Sequence, residues 1–191
     1  MKIIKENKKN IPQIISALKK GAVLVCPTDT VYGLICDAEN KTALEKIFLI
    51  KKRDKSKPLL IFVDSLLSAS KIALLSERQK KFLENIWPGQ ITIIVKTKKF
   101  FSNLICQNKT IGLRVPKYSF LNLILKRFKK PLAQTSANIS GQGATTKIKE
   151  VIEQFKDKEI QPDFIINAGD LPTREPSIII DITDNKIRFL R

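Results

Sequence analysis

The sequence predicts one α/β domain over residues 1–191: a twisted, mixed β-sheet flanked by helices, with a concave, positively charged cavity. Three observations carry this expectation. Strand-like apolar runs and helical patterns are interspersed along the chain rather than segregated. Many of the strands are short and separated by loops, which does not fit clean βαβ repetition and favours a mixed sheet. Finally, 43% of the residues are apolar, and neither a linker composition nor an internal repeat interrupts them, so the scattered segments need one shared core.

Each element has a local reason. Ile11, Ile14, Ile15 and Leu18 recur at helical spacing, with Pro12 tolerated in the first turn and Gly21 as the stop. Ala22 to Cys26 reads as a strand feeding a shaped loop, Pro27-Thr28-Asp29-Thr30-Val31-Tyr32-Gly33-Leu34-Ile35, placed at a sheet edge. Thr42 and Glu45 have capping-box spacing, and Leu44, Ile47 and Phe48 mark the buried face of the helix they open. Pro58 introduces a strand, Leu59 to Val63, and short helices follow over Leu66 to Leu75 and after Ser76, where Ser76 and Gln79 repeat the box spacing. Phe82, Leu83 and Ile86 face the core. Trp87-Pro88-Gly89 turns into the strand Ile91 to Val95, and Ile111 to Val115 is another, closed by Pro116. Phe120 to Phe128 reads as a helix, Leu132 to Gln134 as a short buried segment, and Ile148, Val151, Ile152 and Phe155 line a further helix. The late strands are Phe164 to Ile166, Ile178 to Ile182 and a short one at Ile187 to Leu190.

Composition excludes many chemistries. With no histidine, no His metal site, Ser-His-Asp triad or Cys-His pair can form. The three cysteines make no CxxC pair and no closed disulfide framework, which fits a reducing, cytoplasmic compartment. No signal-peptide core or long charge-free apolar segment is present. The formal net charge of +17 favours anions, nucleotides or nucleic acid, although scattered lysines also suit a merely solvated surface. There is no GxxxxGK[ST] and no GxGxxG.

Three polar clusters stand out. Lys51-Lys52-Arg53 follows a predicted helix and offers cations for phosphate oxygens; its rival reading is a solvated helix end. In an extended loop Lys51 and Arg53 point the same way, and on a helix they diverge. Thr135-Ser136-Ala137-Asn138-Ile139-Ser140-Gly141 sets hydroxyls, an amide and backbone donors against an apolar background, as an anion-gripping loop or a plain capped turn. Arg114 faces opposite to Leu113 and Val115 on a largely apolar strand. If buried it needs an acidic partner or an anionic ligand such as a substrate carboxylate, and otherwise it lies on a wet face. Trp87 suits a core or hinge role better than the wall of a nucleotide site.

PTDTVYGL, the KKR run, KPLLIFV, WPGQITIIV, TIGLRVP, TSANISG and PSIIIDIT occur in this order. Together they resemble the YrdC family, the L-threonylcarbamoyladenylate synthases also called TsaC, from about Gly21 to Arg191. The likeness is to the short, single-domain form. It implies synthesis of threonylcarbamoyl-AMP from L-threonine, bicarbonate and ATP, with Mg2+ held mainly by the nucleotide phosphates and pyrophosphate released. The product then serves N6-threonylcarbamoyladenosine formation in tRNA through a separate transfer complex, which leaves this chain at most a weak contact with tRNA or other RNA.

By motif, the resemblance assigns Thr28, Thr30, Tyr32, Arg114 and Ser177 to threonine, with Arg114 on its carboxylate. Lys51 and Arg53 match a K-x-R pair on the ATP phosphates, and Ser136 and Asn138 an S-x-N pair at the reaction centre. These four form the catalytic set. Lys57, Thr110, Thr146 and Arg191 are further nucleotide contacts. Phe62 stands where many relatives have histidine, and is expected to pack against the threonine methyl group without a polar contact. The ending Phe189-Leu190-Arg191 is expected to leave a cap over ATP incomplete. The alternatives from other classes are a double-stranded or ribosomal RNA-binding module, for which the RRM aromatic pair, KH GXXG loop and zinc knuckle are missing, and a carbamoyl-transfer accessory domain acting on another acceptor.

Overall fold

Local signals account for most of the helix ends in the computed structural model, which describes residues 1–184 and 187–190. After strand β1 (Lys2–Lys5) and a 3-10 turn, α1 (Ile11–Lys19) carries Pro12 in its first turn and is followed by Gly21 at φ +81°. Strands β2 (Leu24–Cys26) and β3 (Gly33–Asp37) follow, then α2 (Lys41–Lys51), β4 (Leu60–Phe62), α3 (Leu66–Ile72) and α4 (Glu77–Ile86). Ser76 and Gln79 form the expected reciprocal capping box on α4. The cap on α2 differs from expectation: Asn40, not Thr42, is the N-cap and receives the Ala43 amide at 3.0 Å, because the helix begins two residues earlier, at Lys41. The remaining elements are β5 (Ile91–Lys96), β6 (Thr110–Arg114), α5 (Ser119–Phe128), β7 (Leu132–Ser136), α6 (Ile148–Phe155), β8 (Phe164–Asn167), β9 (Ile178–Asp181) and β10 (Arg188–Phe189).

Among the described residues the strands form one mixed sheet in the order β1-β8-β2-β3-β7-β4-β6-β5-β9-β10. Four pairs are parallel (β1 with β8, β8 with β2, β4 with β6, β5 with β9) and the other five are antiparallel. Two strands lie beyond the sequence reading. One is β1; the other is β3, which occupies the middle of the sheet although Gly33 to Ile35 reads as part of an edge loop. The loop proper is therefore only residues 27–32.

The period of two along each strand sorts the side chains into two layers. Leu24, Cys26, Ile35, Phe62, Leu132 and Ile166 face α1 and α5. Val25, Leu34, Cys36, Ile61, Ala133 and Ile165 face the other way, toward α2, α3, α4 and α6, and join Ile93, Val95, Ile111, Leu113 and Ile180 there. Helices α1 and α5 thus cover their face only from β1 to β4. Over β6, β5 and β9 the same face is left uncovered, and a concavity opens there.

Candidate active site

The loop between β2 and β3 is wound around a threonine. The Thr28 hydroxyl donates to Val31 O at 2.7 Å and accepts the Thr30 amide at 3.0 Å. The Thr28 and Thr30 hydroxyls are 3.0 Å apart. Since the Thr28 proton is committed to Val31 O, Thr30 donates in that pair. Tyr32 is anchored by donating to Gly169 O at 2.6 Å and accepting from Ala168 N at 3.2 Å, and burial pushes its phenol up to about 12. Its carbonyl receives the Ala137 amide at 2.8 Å, which ties this loop to the TSAN loop.

Arg114 ends β6 and is 2% exposed. Its Nη2 donates to Asp29 Oδ1 at 2.6 Å and its Nε to Gly89 O at 2.8 Å, while Nη1 lies 3.5 Å from Thr30 Oγ1. Burial draws the guanidinium pKa down and Asp29 opposes that. The WPGQ segment explains itself here. A Cβ on Gly89 would lie 2.4 Å from Ile86 O, so only glycine fits at the position whose own carbonyl accepts from Arg114. Gln90 Nε2 donates to Asp29 O at 2.6 Å. The Trp87 indole donates to Ile91 O at 2.8 Å from within the core, which is the structural role expected of it. Phe62 is 1% exposed and packs its ring 5.8 Å from the Arg114 guanidinium carbon. It lies under the arginine, outside the residues that line the cavity, and its strand parity turns it toward α1 and α5.

Lys51 closes α2. The next residue, Lys52, is left-handed at φ 50°, so Lys51 and Arg53 part company. The Lys51 ammonium turns into the TSAN loop and is 2% exposed. It donates to Ser136 O at 2.7 Å, Asn138 O at 2.6 Å and Asn138 Oδ1 at 3.0 Å. Burial and the charge of Arg53 pull it down to about 7, while only the protonated amine has an N–H for each of the three acceptors. Asn138 is itself fixed: Oδ1 accepts the Ser136 hydroxyl at 2.6 Å, and Nδ2 donates to Ile139 O at 3.0 Å and Gln142 O at 2.6 Å. Arg53 instead draws its own loop closed through Lys57 O at 2.8 Å and Pro58 O at 3.2 Å.

These elements surround one cavity of about 480 Å³. Thr28, Thr30, Tyr32, Arg53, Lys57, Arg114, Ser136 and Ser177 line it, above an apolar floor of Leu60, Ile94 and Ile179. Gly112 shapes that floor: a Cβ there would meet Leu60 Cδ2 at 2.3 Å. Lys51 and Asn138 stand behind the wall and act on Ser136. Ser177 pairs with Thr92 at 3.0 Å. Thr110 lies at the outer end of β6, its hydroxyl on Gln107 O at 2.8 Å, and Gln107 in turn donates to Ser56 O at 3.0 Å. Thr146 is not in the wall and holds Leu171 N at 2.9 Å through its carbonyl. Arg191 lies outside the described residues. Gln134, also in the wall, and Asp29 and Gln90 behind it carry no role in the sequence reading. The signal for Asp29 was the need of a buried Arg114 for an acid.

Among the described residues no group of three or more His, Cys, Asp or Glu side chains is placed to hold a metal ion. The cavity wall offers cations and neutral oxygens, a set suited to anions. The cysteines are unpaired and buried, which raises their thiol pKa values and leaves none as a ready nucleophile.

Residues 16–191 match the Sua5/YciO/YrdC family model, described as "Telomere recombination". The chain is 34% identical to a putative threonylcarbamoyl-AMP synthase of Methanocaldococcus jannaschii, over all of this chain and 91% of that protein. It is also 34% identical to a threonylcarbamoyl-AMP synthase of Aliivibrio fischeri, over 94% of this chain and 98% of that one. The fold superimposes on the P. abyssi Sua5 structure complexed with L-threonine with a TM-score of 0.91 at 26% identity. All of this chain is covered there, and it spans 56% of the Sua5 chain. A family match over nearly the whole sequence, together with this fold, means that the chain belongs to the Sua5/YciO/YrdC family.

Proposed function

We propose that this chain is a threonylcarbamoyl-AMP synthase, acting as a single domain on L-threonine, bicarbonate and ATP. The observation that carries the proposal is the convergence on one cavity of Thr28, Thr30 and Arg114 with Arg53, Lys57 and Ser136. The first three offer two hydroxyls and a guanidinium to an amino acid; the next two offer cations to a triphosphate. Ser136, held by Lys51 and Asn138, lines the same cavity and is proposed as the reaction centre.

In this reading the threonine carboxylate meets Arg114 Nη1, with Thr28, Thr30, Tyr32 and Ser177 about the rest of the amino acid. The threonine ammonium first gives one proton to solvent; the freed lone pair attacks the bicarbonate carbon, a C–N bond forms, and the departing hydroxide takes a second proton from nitrogen and leaves as water. A carbamate oxygen then attacks the α-phosphorus of ATP. The bond to the bridging oxygen breaks, and pyrophosphate departs with the electron pair. Positioning and charge neutralisation supply the rate, so the absence of histidine is no obstacle. Thr110, Thr146 and Arg191 are proposed as outer nucleotide contacts. A Mg2+ ion would ride on the phosphate oxygens beside Arg53 and Lys57, where it would neutralise phosphate charge.

No described helix is long and apolar enough to cross a membrane. Three unpaired cysteines support a reducing, cytoplasmic setting, and the product would pass to a separate tRNA-modifying complex. Pure protein given ATP, Mg2+ and bicarbonate should release pyrophosphate only when threonine is added. No threonine-dependent release across pH and Mg2+ concentration would refute the activity.

A further inference from the structure

We propose that Asp29 is a positioning residue that orients Arg114 so that a single guanidinium nitrogen, Nη1, is presented to the amino-acid carboxylate. The inference rests on the reading of Arg114 given above. The geometry leaves little freedom. Arg114 Nε is spent on Gly89 O and Nη2 on Asp29 Oδ1. Nη1 makes only the longest contact of the three, 3.5 Å to the Thr30 hydroxyl, and Arg114 and Thr30 both line the cavity. Asp29 is itself immobilised through every acceptor it has: Oδ2 takes the Lys117 amide at 2.9 Å, and its carbonyl takes Gln90 Nε2 at 2.6 Å and Arg174 Nη1 at 3.4 Å. The ion pair is almost completely buried, with side-chain exposures of 2% and 3%.

Chemistry makes the carboxylate specific. Its two oxygens serve two donors, Arg114 Nη2 and the Lys117 amide. An amide in its place can satisfy one of them and must set an N–H against the other. It also removes the charge that keeps Arg114 fixed in a buried setting, so the guanidinium is free to turn and its aim at the carboxylate is lost. Thr28 and Thr30, one residue to either side, line the cavity, so Asp29 couples the hydroxyls and the arginine into one receptor.

Steady-state pyrophosphate release by Asp29→Asn, with threonine and with threonine amide, tests this. A folded variant should raise the KM for threonine at least tenfold, leave the KM for ATP within about twofold, and lose most of the preference for threonine over its amide. Asp29→Glu, which keeps the charge, should recover part of that preference. An unchanged preference, or equal rises in both KM values, would overturn the proposal and assign Asp29 a merely structural role. Should Asp29→Asn not fold, side-chain 15N spectra of the wild type decide: threonine should shift the Arg114 Nη1 protons and leave the Nη2 protons in place. Movement of Nη2 instead would overturn it. If the wild type releases no pyrophosphate with threonine, the functional reading fails and not this inference alone.

Discussion

Replacing Lys51 with methionine separates two roles for the KKR run. The residue matches a phosphate-binding pair by motif, yet its ammonium spends its three protons on Ser136 O, Asn138 O and Asn138 Oδ1. Methionine is close in length and carries no charge. After the change Ser136 O keeps the Asn138 amide at 3.0 Å, and Asn138 Oδ1 keeps the Ser136 hydroxyl at 2.6 Å. Asn138 O is then the one acceptor of the three without another donor among the described residues. An orphaned buried carbonyl costs about 1–3 kcal/mol. Relief from burying an ammonium offsets part of that, since desolvating such an ion costs several kcal/mol. The net loss of stability should therefore be small, on the order of 1–2 kcal/mol, or a few degrees in Tm for a chain of this size. Asn138 would lose two of its holds, and the Ser136 hydroxyl that bonds to it would be less sharply aimed; a misplacement of about 1 Å at a reaction centre can cost ~100-fold in rate. Differential scanning fluorimetry, ATP titration calorimetry and pyrophosphate release check this. The expected pattern is a slight fall in Tm, ATP affinity retained within a few-fold, and kcat down by about two orders of magnitude. Loss of ATP affinity as large as that of Arg53→Ala, with kcat intact at saturating ATP, would refute the loop-holding role and restore a direct phosphate contact.

Three further outcomes follow from the same geometry. Lys51 is held at about 7 in the fold against 10.5 for an ordinary lysine. Between those values the unfolded chain binds a proton the native chain lacks, so wild-type stability relative to Lys51→Met should rise from pH 7 to 10, as read from paired urea melts; a flat or falling difference would contradict it. Arg53→Ala should raise the KM for ATP by roughly 10- to 100-fold, the equivalent of one charge-assisted contact worth about 1.5–3 kcal/mol, with little change in the KM for threonine; unaltered kinetics would reduce the run to a solvated face. Gly112→Ala forces Leu60 out of the cavity floor, since the new Cβ meets it at 2.3 Å. It should cost about 1–3 kcal/mol in chemical denaturation and weaken substrate binding; a neutral result in both would show that the floor yields freely.

How legible the protein was in its sequence depends on whether a feature is local. The Ser76–Gln79 capping box, Pro12 in the first turn of α1 and the apolar strands β5 and β6, bounded by Gly89 and Pro116, are set by neighbours in sequence, and they stand within a residue of where expected. The strand β3 hid because Gly33-Leu34-Ile35-Cys36-Asp37 follows a turn with no polar alternation. Buried on both faces between β2 and β7, it shows no period of two. The seven ordered motifs revealed the family. They could not reveal that Arg114 would find both of its anticipated partners' chemistry, an acid behind it and a cavity before it. That depends on Asp29, 85 residues away. Nor could spacing decide whether Lys51 and Arg53 share a target, because the answer lies in the left-handed turn at Lys52. Nor could spacing show that Phe62 pairs in register with Arg114 across β4 and β6, with the guanidinium over its ring.

The central claim is that one cavity joins a threonine-derived carbamate to the adenylyl group of ATP. Incubation of the pure chain with ATP, Mg2+, L-threonine and 13C-labelled bicarbonate, followed by rapid mass spectrometry, tests it most directly. The account predicts threonylcarbamoyl-AMP carrying one labelled carbon, pyrophosphate in equal amount, and loss of both with Arg114→Ala. Pyrophosphate release without the labelled adduct, or an adduct whose yield does not depend on threonine or on Arg114, would contradict it.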